Sequence, residues 1–350
     1  MINNNLNALR MIAASLVLYG HSFVFLGFPA PLFLSWSPLG SLGVFIFFTI
    51  SGYLITQSWQ SDPHLGRFFI RRALRIFPGL IGCILLSIFV LGPILTTLTL
   101  NDYFKSAFTW GYLHNIRLYI TYYLPGVFAE NRVPNAVNGS LWSLPIEFLM
   151  YIIVAIIGFL RGNRWVFLML TIIFVFTTYF WAQRTEQMFI MYASDLRQAF
   201  ICGTYFWVGA TFYLFNIKRF FSLSTALLAC IGLLCLERWL PTLSIMSWLL
   251  LPVAVLAFGL DQNRLLSWLT SSGDYSYGIY IYAFPIQQAV VYLYPNLPFE
   301  IYLPICFTFA LVCAILSWHL IERPFLALKP RRPPSNNDLS SDTMSNASSY

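Results

Sequence analysis

Long apolar stretches alternate with short polar loops along most of this chain. The stretches that are long enough to cross a bilayer as helices cover residues 11–28, 39–57, 78–98, 142–160, 165–182, 198–215, 220–236, 245–260, 275–294 and 300–320. Apart from Glu147 and Glu300, every Asp, Glu, Lys and Arg residue lies outside these stretches. The pattern predicts an all-α, polytopic integral membrane protein with about ten transmembrane helices.

Composition strengthens this prediction and excludes several classes of protein. Hydrophobic residues make up 58% of the 350 residues and charged residues only 9%, whereas soluble domains carry about 25% charged residues. The net charge of +7 comes from basic residues scattered over short loops, so we expect no nucleic-acid partner. The six cysteines lie inside apolar stretches without metal-ligand spacing, and we expect no metal site.

Basic residues in the loops predict the orientation in the membrane. With the N-terminus in the cytoplasm, 14 of the 20 Lys and Arg residues fall inside and 6 outside, as the positive-inside rule requires. An even number of spans then returns the C-terminus to the cytoplasm. We expect residues 1–329 to form one membrane domain and residues 330–350, rich in Ser, Asn and Pro, to form a disordered cytoplasmic tail.

His21 is one of two ionisable residues that stand out within the predicted spans, and such residues are costly in a bilayer. It follows Arg10 by eleven positions, so a helix puts both side chains on one face, about 16 Å apart along the axis. A near-neutral imidazole is a common general base for a hydroxyl nucleophile. The alternative is a histidine that hydrogen-bonds to another helix for packing.

Glu147 is the second ionisable residue within a predicted span, at the outer end of the fourth. A carboxylate facing His21 would fix the imidazole tautomer and stabilise the imidazolium. The alternative is a carboxylate that accepts hydrogen bonds from the first turn of its own helix.

An arginine-rich loop, residues 67–78, adjoins the third span. Arg72 and Arg75 share a helical face because they are three positions apart, and Arg71 lies beside them. Guanidinium groups bind phosphates through paired hydrogen bonds, so the loop is a candidate site for a phosphorylated donor. The alternative is a topology signal or a site for anionic lipid.

Five short motifs occur in an order that resembles the acyltransferase 3 family of membrane O-acyltransferases. They are Arg10 with His21, the phenylalanine-rich stretch 45–55 that includes Ser51 and Gly52, the R-x-x-R-I-x-P motif at 72–78, the W-S-L-x-x-E motif at 142–147, and the I-E-R-P-F motif at 321–325. The order spans nearly the whole chain. One departure is Ala283, where many members have a histidine in the ninth span.

The resemblance implies a membrane acyltransferase domain over residues 1–329, in the inner membrane of a bacterium. It implies acyl-CoA, most simply acetyl-CoA, as the donor, and a sugar hydroxyl of a surface polysaccharide or its lipid-linked precursor as the acceptor. By analogy His21 and Glu147 are catalytic, and Arg72 and Arg75 contact the donor. Arg10 and Arg71 are further donor candidates, and the acceptor candidates are Ser51, Asn138, Ser140, Trp142 and Ser143.

Two other classes remain as alternatives. A glycolipid transporter or flippase would also have about ten spans, but such proteins often carry internal repeats or paired broken helices, and the sequence shows neither. A non-catalytic scaffold has no need of an ionisable pair within the membrane. Consumption of labelled acetyl-CoA distinguishes the enzyme from both alternatives.

Overall fold

The computed structural model describes residues 5–33, 37–239, 245–263 and 265–330. Each of the ten predicted apolar stretches forms a helix there, and strand is limited to two short hairpins, Leu32–Phe33 with Ser37–Pro38 and Ile190–Met191 with Ser194–Asp195. The main helices of this described part are α1 (Leu6–Leu26), α2 (Leu39–Ser61), α3 (Leu65–Leu86), α4 (Ser143–Phe159), α5 (Arg164–Thr177), α6 (Leu196–Leu214), α7 (Leu223–Trp239), α8 (Ser247–Gly259), α9 (Ser276–Leu293) and α10 (Phe299–Ser317).

Three of these helices continue beyond their α-helical part through π-helical turns, at Ser87–Leu91 after α3, Thr178–Ala182 after α5 and Trp318–Glu322 after α10. Short α-helices, Gly92–Leu95 and Arg323–Ala327, then extend α3 and α10. π-Helical turns are uncommon and break the regular i to i−4 hydrogen bonding. Through these turns α3 and α10 continue into their short helices without a break.

Six helices within the described residues are long and apolar enough to cross a membrane: Leu6–Leu26, Leu39–Ser61, Leu65–Leu95, Gly139–Phe159, Arg164–Ala182 and Phe299–Ala327. The prediction of a helical, multi-pass membrane protein is therefore confirmed at this level. Helices α6 and α9 carry more polar residues, and α7 and α8 are shorter. The count of about ten crossings stays a prediction.

Helix α2 packs closely against helices on two sides. A Cβ on Gly52 would lie 1.9 Å from the backbone oxygen of Phe206 in α6, and a Cβ on Gly43 would lie 2.2 Å from that of Ala13 in α1. Lipid is as apolar as a protein core, so small residues that let helix backbones approach closely are the main source of helix association in a membrane. The glycine of the Ser51-Gly52 motif is thus required for the contact between α2 and α6.

The segment between α3 and α4 folds into short helices rather than an open linker. Leu100–Lys105, Ala107–Gly111 and the 3₁₀ helix Tyr112–Arg117 follow one another. The fully buried side chain of Asn115 donates hydrogen bonds to the carbonyl oxygens of Tyr112 and Thr121, both at 2.9 Å. The predicted disordered tail, beyond Pro330, lies outside the described residues and stays a prediction.

Candidate active site

A cavity of about 660 Å³ lies at the end of the bundle where α1 and α3 begin and α2 ends. This is the end that the loop charges assign to the cytoplasm. Two carboxylates, Glu147 and Asp274, lie in its wall, and its volume is within the range of small-molecule sites. Its cationic lining residues are Arg10, Arg71, Arg72, Arg75, Arg323 and Lys329. The four arginines predicted to bind the donor are therefore brought together.

Helix α3 begins at a capped turn that fixes two of its arginines. The imidazole Nδ1 of His64 accepts a hydrogen bond from the backbone N–H of Arg67 at 3.3 Å. The side chains of Arg67 and Arg71 then both donate to Asp62, which lies between α2 and α3. The hydrogen bond from Arg67, together with that from Arg71, holds the pKa of Asp62 well below its usual range. Arg71 is thus engaged by a carboxylate as well as lining the cavity.

Arg10 and Arg75 share a different carboxylate, that of Asp274. Nη2 of Arg75 lies 2.7 Å from one Asp274 oxygen and Nη1 of Arg10 lies 3.9 Å from it, while the Ser276 hydroxyl donates to the other oxygen at 2.6 Å. Burial acts to raise the pKa of Asp274, but the positive charges of Arg75 and Arg10 lower it by a larger amount. The pKa of Asp274 therefore lies below its usual value. The carboxylate holds α1, α3 and the start of α9 together at the cavity wall.

Arg72 is the arginine of α3 with the fewest polar contacts. Its Nη2 donates to the Ser58 hydroxyl at a long 3.3 Å, and its guanidinium lies over the ring of Phe68. Its buried Nε has no hydrogen-bond partner among the described residues. Unlike Arg71 and Arg75, Arg72 has no carboxylate partner among the described residues, although it lines the cavity. Its guanidinium charge is therefore left for an anionic ligand.

Glu147 lies in the same cavity, on α4. Its carboxylate accepts hydrogen bonds from the Ser51 hydroxyl of α2 and, at 2.5 Å, from the Tyr151 hydroxyl one turn later in α4. Ser143 also lines the cavity, and its hydroxyl is 2.6 Å from that of Tyr280. Two of the five acceptor candidates, Ser51 and Ser143, are thus cavity residues.

His21 lies outside the residues that line this cavity. Its ring packs edge-on against Phe25 and Phe284, with centroids 6.2 and 5.3 Å apart. Its buried Nδ1 has no hydrogen-bond partner in the described part of the chain, and Glu147 is bonded to Ser51 and Tyr151 instead. The direct contact that we expected between His21 and Glu147 is therefore absent from the described structure, while the catalytic roles of both stay predictions.

The remaining acceptor candidates stabilise the turn that precedes α4. Asn138 is fully buried, donates to the carbonyl oxygen of Ile281 at 2.8 Å and accepts from the backbone N–H of Ser140 at 3.2 Å. The carbonyl oxygen of Ser140 accepts from Tyr280 at 2.8 Å. With Trp142, these residues lie outside the cavity lining. Their assignment to acceptor binding stays a prediction.

Several cavity residues were missed by sequence reasoning. Asp274 and Tyr151 were not singled out, and Arg323, which lines the cavity, was noted only as part of the I-E-R-P-F motif. The available signal for Asp274 was an acidic residue at the start of a span, in a chain with an excess of arginines. Among the described residues no group of three or more His, Cys, Asp or Glu side chains is placed to hold a metal ion.

The chain is similar to known acyltransferases over most of its length. A family model described as an acyltransferase domain matches residues 3–319. An O-acetyl transferase of Shigella phage Sf6 is 28% identical over 336 residues, which is 93% of this chain and 96% of that protein. No solved structure matches the chain significantly.

Two further relatives match over shorter regions. Nodulation protein 10 of Rhizobium leguminosarum bv. viciae is 33% identical over 157 residues, 43% of this chain and 42% of that protein. The peptidoglycan O-acetyltransferase OatA of Listeria monocytogenes serovar 1/2a is 31% identical over 132 residues, 34% of this chain and 20% of that protein. The family match covers nearly the whole chain, so this protein belongs to the acyltransferase 3 family of membrane O-acyltransferases.

Proposed function

We propose that the protein transfers an acyl group, most simply acetyl, from cytoplasmic acyl-CoA to a sugar hydroxyl of a cell-surface polysaccharide or its lipid-linked precursor. The observation that carries this proposal is the cavity lined by six cationic side chains with Glu147 in its wall. The site of action would be the inner membrane of a bacterium, with both termini in the cytoplasm.

The cationic lining fits the phosphates of coenzyme A. The donor carries a diphosphate and a ribose phosphate, and the cavity presents more cations than carboxylates. Arg72, which lines the cavity without a carboxylate partner among the described residues, is the first candidate for a phosphate contact, and Arg75 and Arg10 would bind from positions fixed by Asp274. Planar guanidinium groups suit phosphate oxygens because they form paired, charge-assisted hydrogen bonds.

The reactive end of the donor would lie toward Ser51 and Glu147, which line the cavity on α2 and α4 farther from the end of α2 than Ser58, the residue that Arg72 contacts. Ser51 is ten residues from the end of α2 at Ser61, about 15 Å along the helix axis. The thioester would therefore reach deep into the membrane while the phosphates stay near the cytoplasm. His21, farther along α1 than Arg10, would act as the general base for the acceptor hydroxyl.

A glycan acceptor is supported by the relatives. One is named as an O-acetyl transferase and another as a peptidoglycan O-acetyltransferase, although the second match covers only 20% of that protein. We therefore assign to this protein an acceptor of one chemical class, a hydroxyl of a carbohydrate, with Asn138, Ser140 and Trp142 as further candidates for its contacts.

The proposal is tested with native membrane vesicles that contain the protein and its acceptor, supplied with acetyl-CoA labelled in the acetyl group. We expect CoA release together with alkali-labile label in the glycan fraction, and loss of both in vesicles that carry Arg72→Gln. A transporter or a scaffold would leave the acetyl-CoA intact. That result would contradict the proposed function.

A further inference from the structure

The hydroxyl of Ser51 contacts a carboxylate of another helix, whereas Ser276 and Ser317 donate to carboxylates close to them in sequence. Serines in helices often donate to the carbonyl oxygen four residues earlier, and the side chains of Ser15, Ser22, Ser61 and Ser87 do so here. Ser51 instead donates to the Glu147 carboxylate across the boundary between α2 and α4. Its hydroxyl is therefore held at the cavity wall beside a proton acceptor.

A hydroxyl hydrogen-bonded to a base is the arrangement of an activated nucleophile. The side chain of Tyr151 donates to the same carboxylate oxygen at 2.5 Å, which fixes the orientation of Glu147. Ser51, Glu147 and Tyr151 all line the cavity that we assign to the donor, whereas His21 does not. The residue in position to meet the thioester first is therefore a serine.

We propose that Ser51 accepts the acyl group from acyl-CoA and carries it as an ester before the sugar hydroxyl takes it. The proposal rests on the proposed function, because it needs acyl-CoA in the cavity. It makes the reaction a double displacement through an acyl-enzyme, with Ser51 as nucleophile and Glu147 as its general base.

In the first step the Ser51 oxygen attacks the thioester carbonyl while its proton moves to Glu147. The carbon–sulfur bond then breaks, and the departing thiolate takes that proton to leave as free CoA. In the second step the sugar hydroxyl attacks the Ser51 ester and loses its proton to a base, the role proposed for His21. The Ser51 oxygen leaves and takes up one proton from water through Glu147, while His21 gives the sugar proton to water, so the enzyme returns to its starting protonation state and no other reactant is needed.

Helix α9 contributes one residue to the cavity wall and another to the contact with His21. Tyr280 lines the cavity, and Phe284, one helical turn later, packs its ring against that of His21. An ester on Ser51 would lie in the same cavity as Tyr280. The acceptor hydroxyl would approach from the His21 side while the donor stays on the arginine side. A covalent intermediate would account for a proposed nucleophile, Ser51, that lines the cavity and a proposed base, His21, that lies outside it.

Isotope exchange without acceptor tests the first step alone. Purified full-length protein in nanodiscs is incubated with unlabelled acetyl-CoA and labelled CoA, without glycan. A reversible acyl-enzyme transfers the label into acetyl-CoA, and acid-quenched protein carries one acetyl group on the peptide that contains Ser51. We expect Ser51→Ala to reduce both signals to background, and the matched control Ser61→Ala, an exposed serine of the same helix, to retain both.

His21→Ala separates the two steps, because it should keep the exchange while losing transfer to glycan. Should Ser51→Ala fail to fold, Ser51→Cys replaces it and should carry the acetyl group as a thioester that neutral hydroxylamine releases. Exchange that persists in Ser51→Ala, or a Ser51 peptide without acetyl in protein that transfers to glycan, would overturn the relay and leave the proposed function intact. Absence of any acetyl-CoA consumption in native vesicles would instead overturn the proposed function.

Discussion

Replacing Arg72 by Gln should weaken donor binding more than replacing any other arginine of α3, because Arg72 has the fewest polar contacts within the protein. Arg71 is bonded to Asp62 and Arg75 to Asp274, whereas Arg72 makes one long hydrogen bond, to Ser58, and has no carboxylate partner among the described residues. A lost charge-assisted hydrogen bond costs about 1.5 to 3 kcal/mol. The Kd for CoA should therefore rise about 10- to 150-fold.

The matched control is Arg67→Gln, which removes the same charge from the same helix, because residues 67–78, predicted as a loop, are helical and lie within α3. Arg67 does not line the cavity and pairs with Asp62 at its edge. Titration calorimetry of CoA against purified protein in nanodiscs should show near-normal affinity for Arg67→Gln and a large loss for Arg72→Gln. Equal losses of CoA affinity in the two variants would mean that the arginines of α3 act only through their summed charge. Unchanged affinity in both would refute the assignment of the arginines to the donor.

Further predictions concern stability and catalysis. Gly52→Ala should lower the free energy of unfolding by about 1 to 3 kcal/mol, because the added Cβ would overlap a backbone oxygen of α6. Gly111→Ala is the control, since there is open space around Gly111, and it should leave the free energy of unfolding unchanged. Thermal unfolding in detergent measures both variants. Asp62→Asn should lower the unfolding temperature at pH 7, with the difference from wild type narrowing below about pH 4. The reason is that a carboxyl whose pKa is depressed by folding contributes stability only while it is ionised; a difference independent of pH would contradict this. His21→Gln should reduce glycan transfer about 10²- to 10⁴-fold with CoA affinity unchanged, and near-normal turnover would make His21 structural.

The helices and the arginine cluster could be predicted from sequence because both are local features. A stretch of apolar residues is sufficient to predict a helix in a membrane, and each of the ten stretches forms one. The spacing of Arg72 and Arg75 predicts that they share a helical face, and both line the cavity. The number of membrane crossings does not follow from apolar composition alone, because an apolar stretch can form a helix as short as α8, Ser247–Gly259.

The partners of the charged residues could not be predicted, because they depend on how distant helices pack. Asp274 lies 199 positions from Arg75, and Glu147 lies 96 positions from Ser51. The sequence allowed Glu147 to face His21 or to accept hydrogen bonds from the first turn of its own helix, and it did not indicate Ser51. Packing of α4 against α2 decides for Ser51, and the aromatic rings of Phe25 and Phe284 surround His21.

The central claim is that acyl-CoA occupies the arginine-lined cavity, and an electron cryo-microscopy structure of the protein with bound CoA tests it most directly. The account predicts phosphate oxygens within hydrogen-bond distance of Arg72 and Arg75, and the thiol end directed toward Ser51 and Glu147. CoA bound on another surface, with the guanidinium groups of the cavity contacting protein carboxylates alone, would contradict it.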